Sequence, residues 1–367
     1  MRYPLATPRP LGGCPPSPVQ CPLRSRLRRN LGFVVAARSI ANLLSRLSKA
    51  GFKREFVRPA ILPDWWEDSL ESDARLLSDI ELRVARFLGV SVADVRDPSR
   101  VLAVPMAPST VLRKSSHMSV ERLRPAIHAA RRVAETVIRN MKSRPVHELP
   151  SKADDWRRTL AKGNAPVTLE VMLSDLWSRG IPVISMDCLP SPAFQGMAAA
   201  IDGRPFIVIG QKHDAPGRVG FFVAHEAGHI ANGDCGDGNT IVDEQETSTD
   251  SSGIERLADR FASRVLLGAV TASRLKGGEF HKLAERAYAI EQETGAEAGA
   301  LLFHWARENN DFKTASMAVG ALYRSIGARR MMAKFLGDNV NTDDMSDTDR
   351  ALLGLALGEA GSNTTAR

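Results

Sequence analysis

Two apolar runs, GMAAAI at 196–201 and RPFIVIG at 204–210, are separated by the dipeptide Asp202-Gly203. Asp-Gly between such runs suits a type I′ turn, in which both central residues take positive φ. The spacing therefore predicts a hairpin over 196–210. IPVISM at 181–186 reads as a further strand. LEVMLSDLWSRG ahead of these strands and PGRVGFFVAHEAGHIANG behind them follow the helical period, with Gly180 closing the first. Long helical patterns dominate elsewhere. The expected fold class is thus α+β, mainly helical, built on a small sheet.

Charge is unevenly placed along the 367 residues, whose formal net charge is +7. Residues 1–60 carry twelve Lys and Arg against the single acid Glu55, and the other 307 residues carry 37 against 41. Any electrostatic case for DNA binding thus rests on an N-terminal arm and on a helix near 120–144. The arm, residues 1–38, is rich in Pro and Arg and lacks an apolar period, so disorder is expected. RLRRNLGFVVAA at 26–37 imitates a twin-arginine signal, but its seven apolar residues make a short core with no small-residue cleavage site after it. No run reaches the roughly 18 apolar residues of a spanning helix, so no membrane partner is expected. Cys14, Cys21, Cys188 and Cys235 form no C-x-x-C pair or disulfide framework, which suits a reducing, cytoplasmic setting.

Residues 39–105 read as a helical module. SIANLLSRLSKAG ends at Gly51; further on, Ser78 is expected to cap a helix that Gly89 ends, and Ser91 to cap a second. Two short helices about a glycine turn resemble a helix-turn-helix. Residues 61–100 nevertheless hold nine acids against five Arg, the wrong sign for lying along phosphates, so packing or protein binding is the competing role. A basic helix over 119–141 and a linker fill 106–165. The core-facing side of that helix carries Leu123, Ile127, Val133 or Ala134, Val137 and Met141, and its arginines read as a solvated face. A C-terminal helical region, 276–367, ends in a tail expected to be disordered. Met331 and Met332 in it read as core filler.

FFVAHEAGHIANG at 221–233 carries the chemistry. His225 and His229 lie one helical turn apart and project from one face, as two nitrogen ligands of a single zinc must. Glu226 follows the first histidine, where H-E-x-x-H sites place a general acid/base. The small Ala227 and Gly228 leave the metal uncrowded. Two sources compete for the third ligand. The metzincin spacing would put Gly and His three and six residues past His229, but Asn232 and Cys235 stand there. The helix GIERLADRFASRVLL at 253–267 offers Glu255 and Asp259 on one face. One carboxylate could complete a His2Glu set while the other holds a ligand histidine's free N–H. Simple pairing with Arg256 and Arg260 is the plainer alternative.

GRPFIVIG, GRVGFFVAHEAGHI and ERLADRFASRVLL together resemble the ImmA/IrrE metallopeptidases, over roughly residues 168–270. The resemblance implies a zincin-like domain, residues 166–275, with one Zn2+ held by His225, His229 and Glu255, Glu226 as catalytic acid/base, and Asp259 on the motif's Asp/Asn position. It also implies a protein substrate, a helix-turn-helix repressor, cleaved in a stress-response or mobile-element switch. One departure stands out: Gly268 follows Leu267 where that family commonly has proline, which should alter the helix end and not the metal.

The reading that follows is a zinc endopeptidase whose N-terminal module selects or tethers a partner. The alternative is a non-proteolytic transcription regulator or toxin–antitoxin component with a structural or sensory metal. The strand PFIVIG is expected at the sheet edge, where it would align an extended substrate. His213, His281, His304, Tyr288 and Tyr323 are all candidates for a second oxyanion donor. The acidic stretch 234–253, with six acids and no Lys or Arg, reads as a solvated loop or a cleft rim.

Overall fold

The computed structural model describes residues 38–105, 120–142, 145–210, 212–236, 240–243, 253–322 and 327–358. The basic arm through residue 37, the tail from 359, Tyr323 and most of the acidic stretch lie outside the described residues. Fourteen α-helices and a four-stranded sheet make up the described fold. No described helix is long and apolar enough to cross a membrane. Buried apolar side chains from Ile40 to Ala356 form one contiguous cluster.

The helices before the sheet are α1 (Ile40–Lys49), α2 (Arg54–Ala60), α3 (Leu77–Leu88), α4 (Val92–Arg96), α5 (Val120–Asn140), α6 (Ala153–Leu160) and α7 (Leu169–Ser178). Ser39 caps α1 by accepting from the Asn42 amide. The start of α3 differs from expectation: a 3-10 turn at Ala74–Leu76, capped by Asp73, runs straight into it, so Ser78 lies inside the first turn. Gly89 ends α3 at φ 67, Ser91 caps α4, and α4 is only five residues long. Arg38 and Arg96 both reach the buried Glu81 of α3. On α5, His128 bonds the Phe87 carbonyl and packs edge-on against Phe52 and Phe87, which gives it a structural place.

The stretch read as a linker contains α6, anchored by the fully buried Trp156, whose Nε1–H donates to Asp175 on α7. A single aromatic in a short charged segment gave little periodic signal. In the C-terminal region α10 (Phe280–Thr294), α11 (Ala298–Asn309), α12 (Phe312–Leu322), α13 (Ala328–Asn339) and α14 (Asp347–Leu357) pack on, the first of these after α8 (Pro216–Ala231) and α9 (Gly253–Leu267). Met332 is buried and Met331 packs partly exposed against the core.

The strands are β1 (Val183–Ser185), β2 (Gly196–Ile201), β3 (Arg204–Ile209) and β4 (Ile241–Asp243), in the order β1-β3-β2-β4. β1 runs parallel to β3, and β2 is antiparallel to both β3 and β4. Asp202 and Gly203 take φ 49 and 73, as the type I′ turn requires. The expected edge position of β3 is corrected: it lies between β1 and β2. Its Phe206, Ile207, Val208 and Ile209 are all buried, the continuous apolar run of an interior strand. The acidic stretch is corrected in part as well, since Ile241–Asp243 is a strand paired to β2, with Ile241 and Val242 buried.

Candidate metal centre

Pro216 opens α8 at a position where its missing N–H is no loss, and the helix is buried around most of its girth. Such a helix needs small residues wherever a neighbour comes close. Gly228 supplies one: a Cβ there would lie 3.2 Å from the Ala258 Cα and 3.2 Å from the Phe261 Cβ of α9. The smallness of Gly228 therefore serves helix contact and not only clearance about a metal. That contact brings α9 against the histidine face of α8.

His225, His229 and Glu255 converge there, all buried. The two Nε2 atoms are 3.2 Å apart, and Glu255 Oε2 lies 3.2 Å from His225 Nε2 and 3.6 Å from His229 Nε2. Both Nδ1–H groups are occupied. That of His225 donates to Asp259 Oδ1 at 3.0 Å and that of His229 to Asp234 Oδ2 at 3.1 Å. Each Nε2 therefore presents a lone pair to the same point as the carboxylate oxygen, and three lone pairs this close call for a cation. Tetrahedral zinc with bonds of about 2.0–2.1 Å has ligand–ligand edges of roughly 3.3–3.4 Å, which the three measured edges bracket. The donor set fits a divalent metal.

The acidic groups favour positive charge at this point. Burial works against the charge of Glu255, yet its bonds to His225 and His229 hold the carboxyl down at about 2. Burial likewise opposes a charge on His229, but Glu255 and Glu226 draw its pKa above the ordinary value. Asp259, predicted as a supporting carboxylate, holds His225, and its pKa is lowered by His225 against the effect of burial.

Asp234 is the support that sequence reasoning missed. The amide of Asp234 bonds the His229 carbonyl and that of Gly233 the Ile230 carbonyl, with Gly233 at φ 74. This is a Schellman end, and it folds the residue after the glycine back over the last turn. The left-handed residue is Gly233; Asn232 is right-handed at φ −79. A glycine followed by aspartate directly past a histidine-bearing turn was the available signal.

Glu226 stands outside the three converging groups. Fully buried, it faces the start of β2, where a Cβ on Gly196 would overlap its Oε1 and lie 2.9 Å from its Cδ. Cys235 is not among the converging groups either, and burial, Glu226 and Asp234 push its thiol pKa up. Of the oxyanion candidates, His304 is bonded to Ser263 at 2.8 Å, while His213, His281 and Tyr288 are exposed. Gly268 takes φ 62, closed to proline, and its amide bonds Arg264. Arg157 from α6 then donates to the Val265 and Leu266 carbonyls, satisfying the end of α9. The helix end is thus built around an arginine. Comparison with protein-family models, with curated proteins and with solved structures found no match to the chain.

Proposed function

We propose that the chain is a zinc-dependent endopeptidase of the ImmA/IrrE kind, with a zincin-like arrangement of α8, α9 and the sheet. The observation that carries this reading is the pairing of two chemistries. Three lone pairs converge on one point, and beside them lies a buried carboxylate, Glu226, that is not part of the set. A structural metal site needs no such base and usually has four protein ligands.

In this reading His225, His229 and Glu255 hold the metal, and Asp259 and Asp234 fix the two imidazole tautomers. Zinc held there would supply a Lewis acid for a water or a peptide carbonyl. Glu226 accepts a proton from the attacking water and delivers it to the amine nitrogen that leaves. Gly196 leaves the room in which that carboxylate stands. The substrate class the resemblance implies is a regulatory protein, a helix-turn-helix repressor, and the setting is cytoplasmic.

A second reading draws on the exposure of the ligands: His225 is 3%, His229 0% and Glu255 5% exposed. A centre so enclosed also suits a regulator that holds metal for structure or sensing and cuts nothing. One experiment separates the two. Metal content is measured for the wild type, Glu255→Ala and Glu226→Gln, and each is incubated with a proteome-derived peptide library whose new termini are read by mass spectrometry. The peptidase reading expects about one zinc per chain in the wild type and in Glu226→Gln, loss in Glu255→Ala, and new termini from the wild type alone. Zinc retention without any new termini favours the regulator, and a folded wild type that takes up no zinc defeats both.

A further inference from the structure

The helix α11 lies in the region that sequence organisation placed beyond the metal-binding segment, yet it touches both helices that carry the ligands. Phe303 packs against Phe221 and Phe222 of α8, with ring centroids 5.8 and 6.3 Å away. His304 sits 5.6 Å from the Phe221 ring. Phe221 is one turn ahead of His225. Toward α9, His304 Nε2 meets Ser263 Oγ at 2.8 Å, and Ser263 Oγ donates to the Asp259 carbonyl at 2.7 Å. Serine has one hydroxyl proton, so His304 must be the donor at Nε2. Burial lowers the His304 pKa, in keeping with a neutral ring.

Arg307, one turn further along α11, completes this contact. Its guanidinium lies over the Phe221 ring, 5.9 Å from the centroid, and its Nη2 is 3.5 Å from Asp259 Oδ2. The other oxygen of Asp259 is the one that accepts from His225. Arg307, Asp259 and His225 thus form a chain that ends at the metal-facing Nε2.

Resting on the metal-site reading above, we infer that Arg307 is a positioning residue for the ligand His225, acting through Asp259. Asp259 must keep the rotamer that points Oδ1 at the His225 ring. A guanidinium at Oδ2 fixes that rotation, so the imidazole keeps its lone pair aimed at the metal. The opposing view is that Arg307 makes an ordinary surface ion pair. Its side chain is 39% exposed and the contact is long, and pairs of that description often contribute nothing measurable. A groove of ≈ 360 Å³ also opens on this contact, lined by Asp259, Arg260, Ser263, His304, Arg307 and Glu308. Asp259 itself is 33% exposed there, so without the guanidinium only water competes for Oδ2.

The test is a double-mutant cycle on the full chain, read as Zn2+ affinity of the metal-free protein in competition with a chromogenic chelator. Asp259→Asn should weaken binding about 10- to 100-fold, the usual effect of losing such a support. Arg307→Gln, one step further out and partly solvated, should weaken it about 3- to 10-fold by the same logic, and Arg307→Lys should recover part of the loss. On the Asp259→Asn background Arg307→Gln should have no further effect, because the residue through which it acts is gone. Thermal unfolding of the metal-free variants shows whether any of them is misfolded, and Arg307→Lys carries the test if Arg307→Gln is. Wild-type affinity in Arg307→Gln overturns the inference, as does an equal loss on both backgrounds. A wild type that binds no Zn2+ removes the metal-site reading and this inference with it.

Discussion

Replacing Gly228 with alanine should loosen the metal more than it loosens the fold. The added methyl would stand 3.2 Å from Ala258 Cα, 3.2 Å from Phe261 Cβ and 3.3 Å from Phe261 Cδ1. Apolar carbons settle at about 3.5 Å or more, so α9 must retreat by a few tenths of an ångström or Phe261 must turn. Turning is obstructed: Phe261 stacks on Trp156 at 5.8 Å, and Trp156 is fully buried and tied to Asp175. Metal–ligand distances tolerate only about ±0.2 Å. Glu255 can follow part of the retreat by turning its stem, while the shorter Asp259 is held at His225, so a loss of about tenfold in zinc affinity is expected, or roughly 1.4 kcal/mol. For the metal-free fold, overpacking costs about 1–3 kcal/mol, and exchanging glycine for alanine within a helix returns about 1. The net change is then about 0–2 kcal/mol, read by urea unfolding beside a chelator-competition titration. Unchanged zinc affinity in a folded Gly228→Ala protein would refute the claim that α8–α9 spacing sets the site.

Three further outcomes follow from the same geometry. Asp234→Asn should weaken zinc binding about 10- to 100-fold by freeing the His229 tautomer, and affinity within twofold of the wild type would remove Asp234 from the site. Gly196→Ala should leave zinc binding intact, because the three atoms nearest its Cβ all belong to Glu226; any metal-dependent cleavage should fall on the order of 10²-fold from displacement of that carboxylate, and zinc loss instead would place the strain elsewhere. Glu81 is 1% exposed, and although burial opposes its charge, Arg38 and Arg96 hold its pKa below the ordinary carboxylate value. Its folded pKa lies below the unfolded one, so its stabilisation is fully present above about pH 4.3 and lost as pH falls through the folded value. Glu81→Gln should cost about 1.5–3 kcal/mol at pH 7, shrinking on acidification, and a difference in unfolding free energy that stays constant with pH would count against the ionised pair.

The parts legible in the sequence are those whose partners are close in the chain or repeat with a period. His225 and His229 one turn apart, Glu255 and Asp259 one turn apart, and the Asp202-Gly203 turn each declare a local geometry that a helix or hairpin then enforces. What the sequence left unread depends on direction and on distant contact. Gly228 and Gly196 are visibly small, but only the packed structure says that one admits α9 and the other the Glu226 carboxylate. The interior place of β3 was in principle readable, since Phe206 to Ile209 is apolar on both faces, whereas the three residues of β4 carry no period and owe their pairing to β2. Arg307 is the extreme case: it lies 48 positions from Asp259 along the chain, on a helix whose own periodicity specifies only that it packs. The same division orders the chemistry. The histidines on α8 and the Glu255/Asp259 pair on α9 can be proposed from spacing because each pair shares one helical face, but the remaining supports answer to no spacing rule. They are found by following each ligand's second nitrogen outward, which leads from His229 to Asp234, and from His225 through Asp259 to α11.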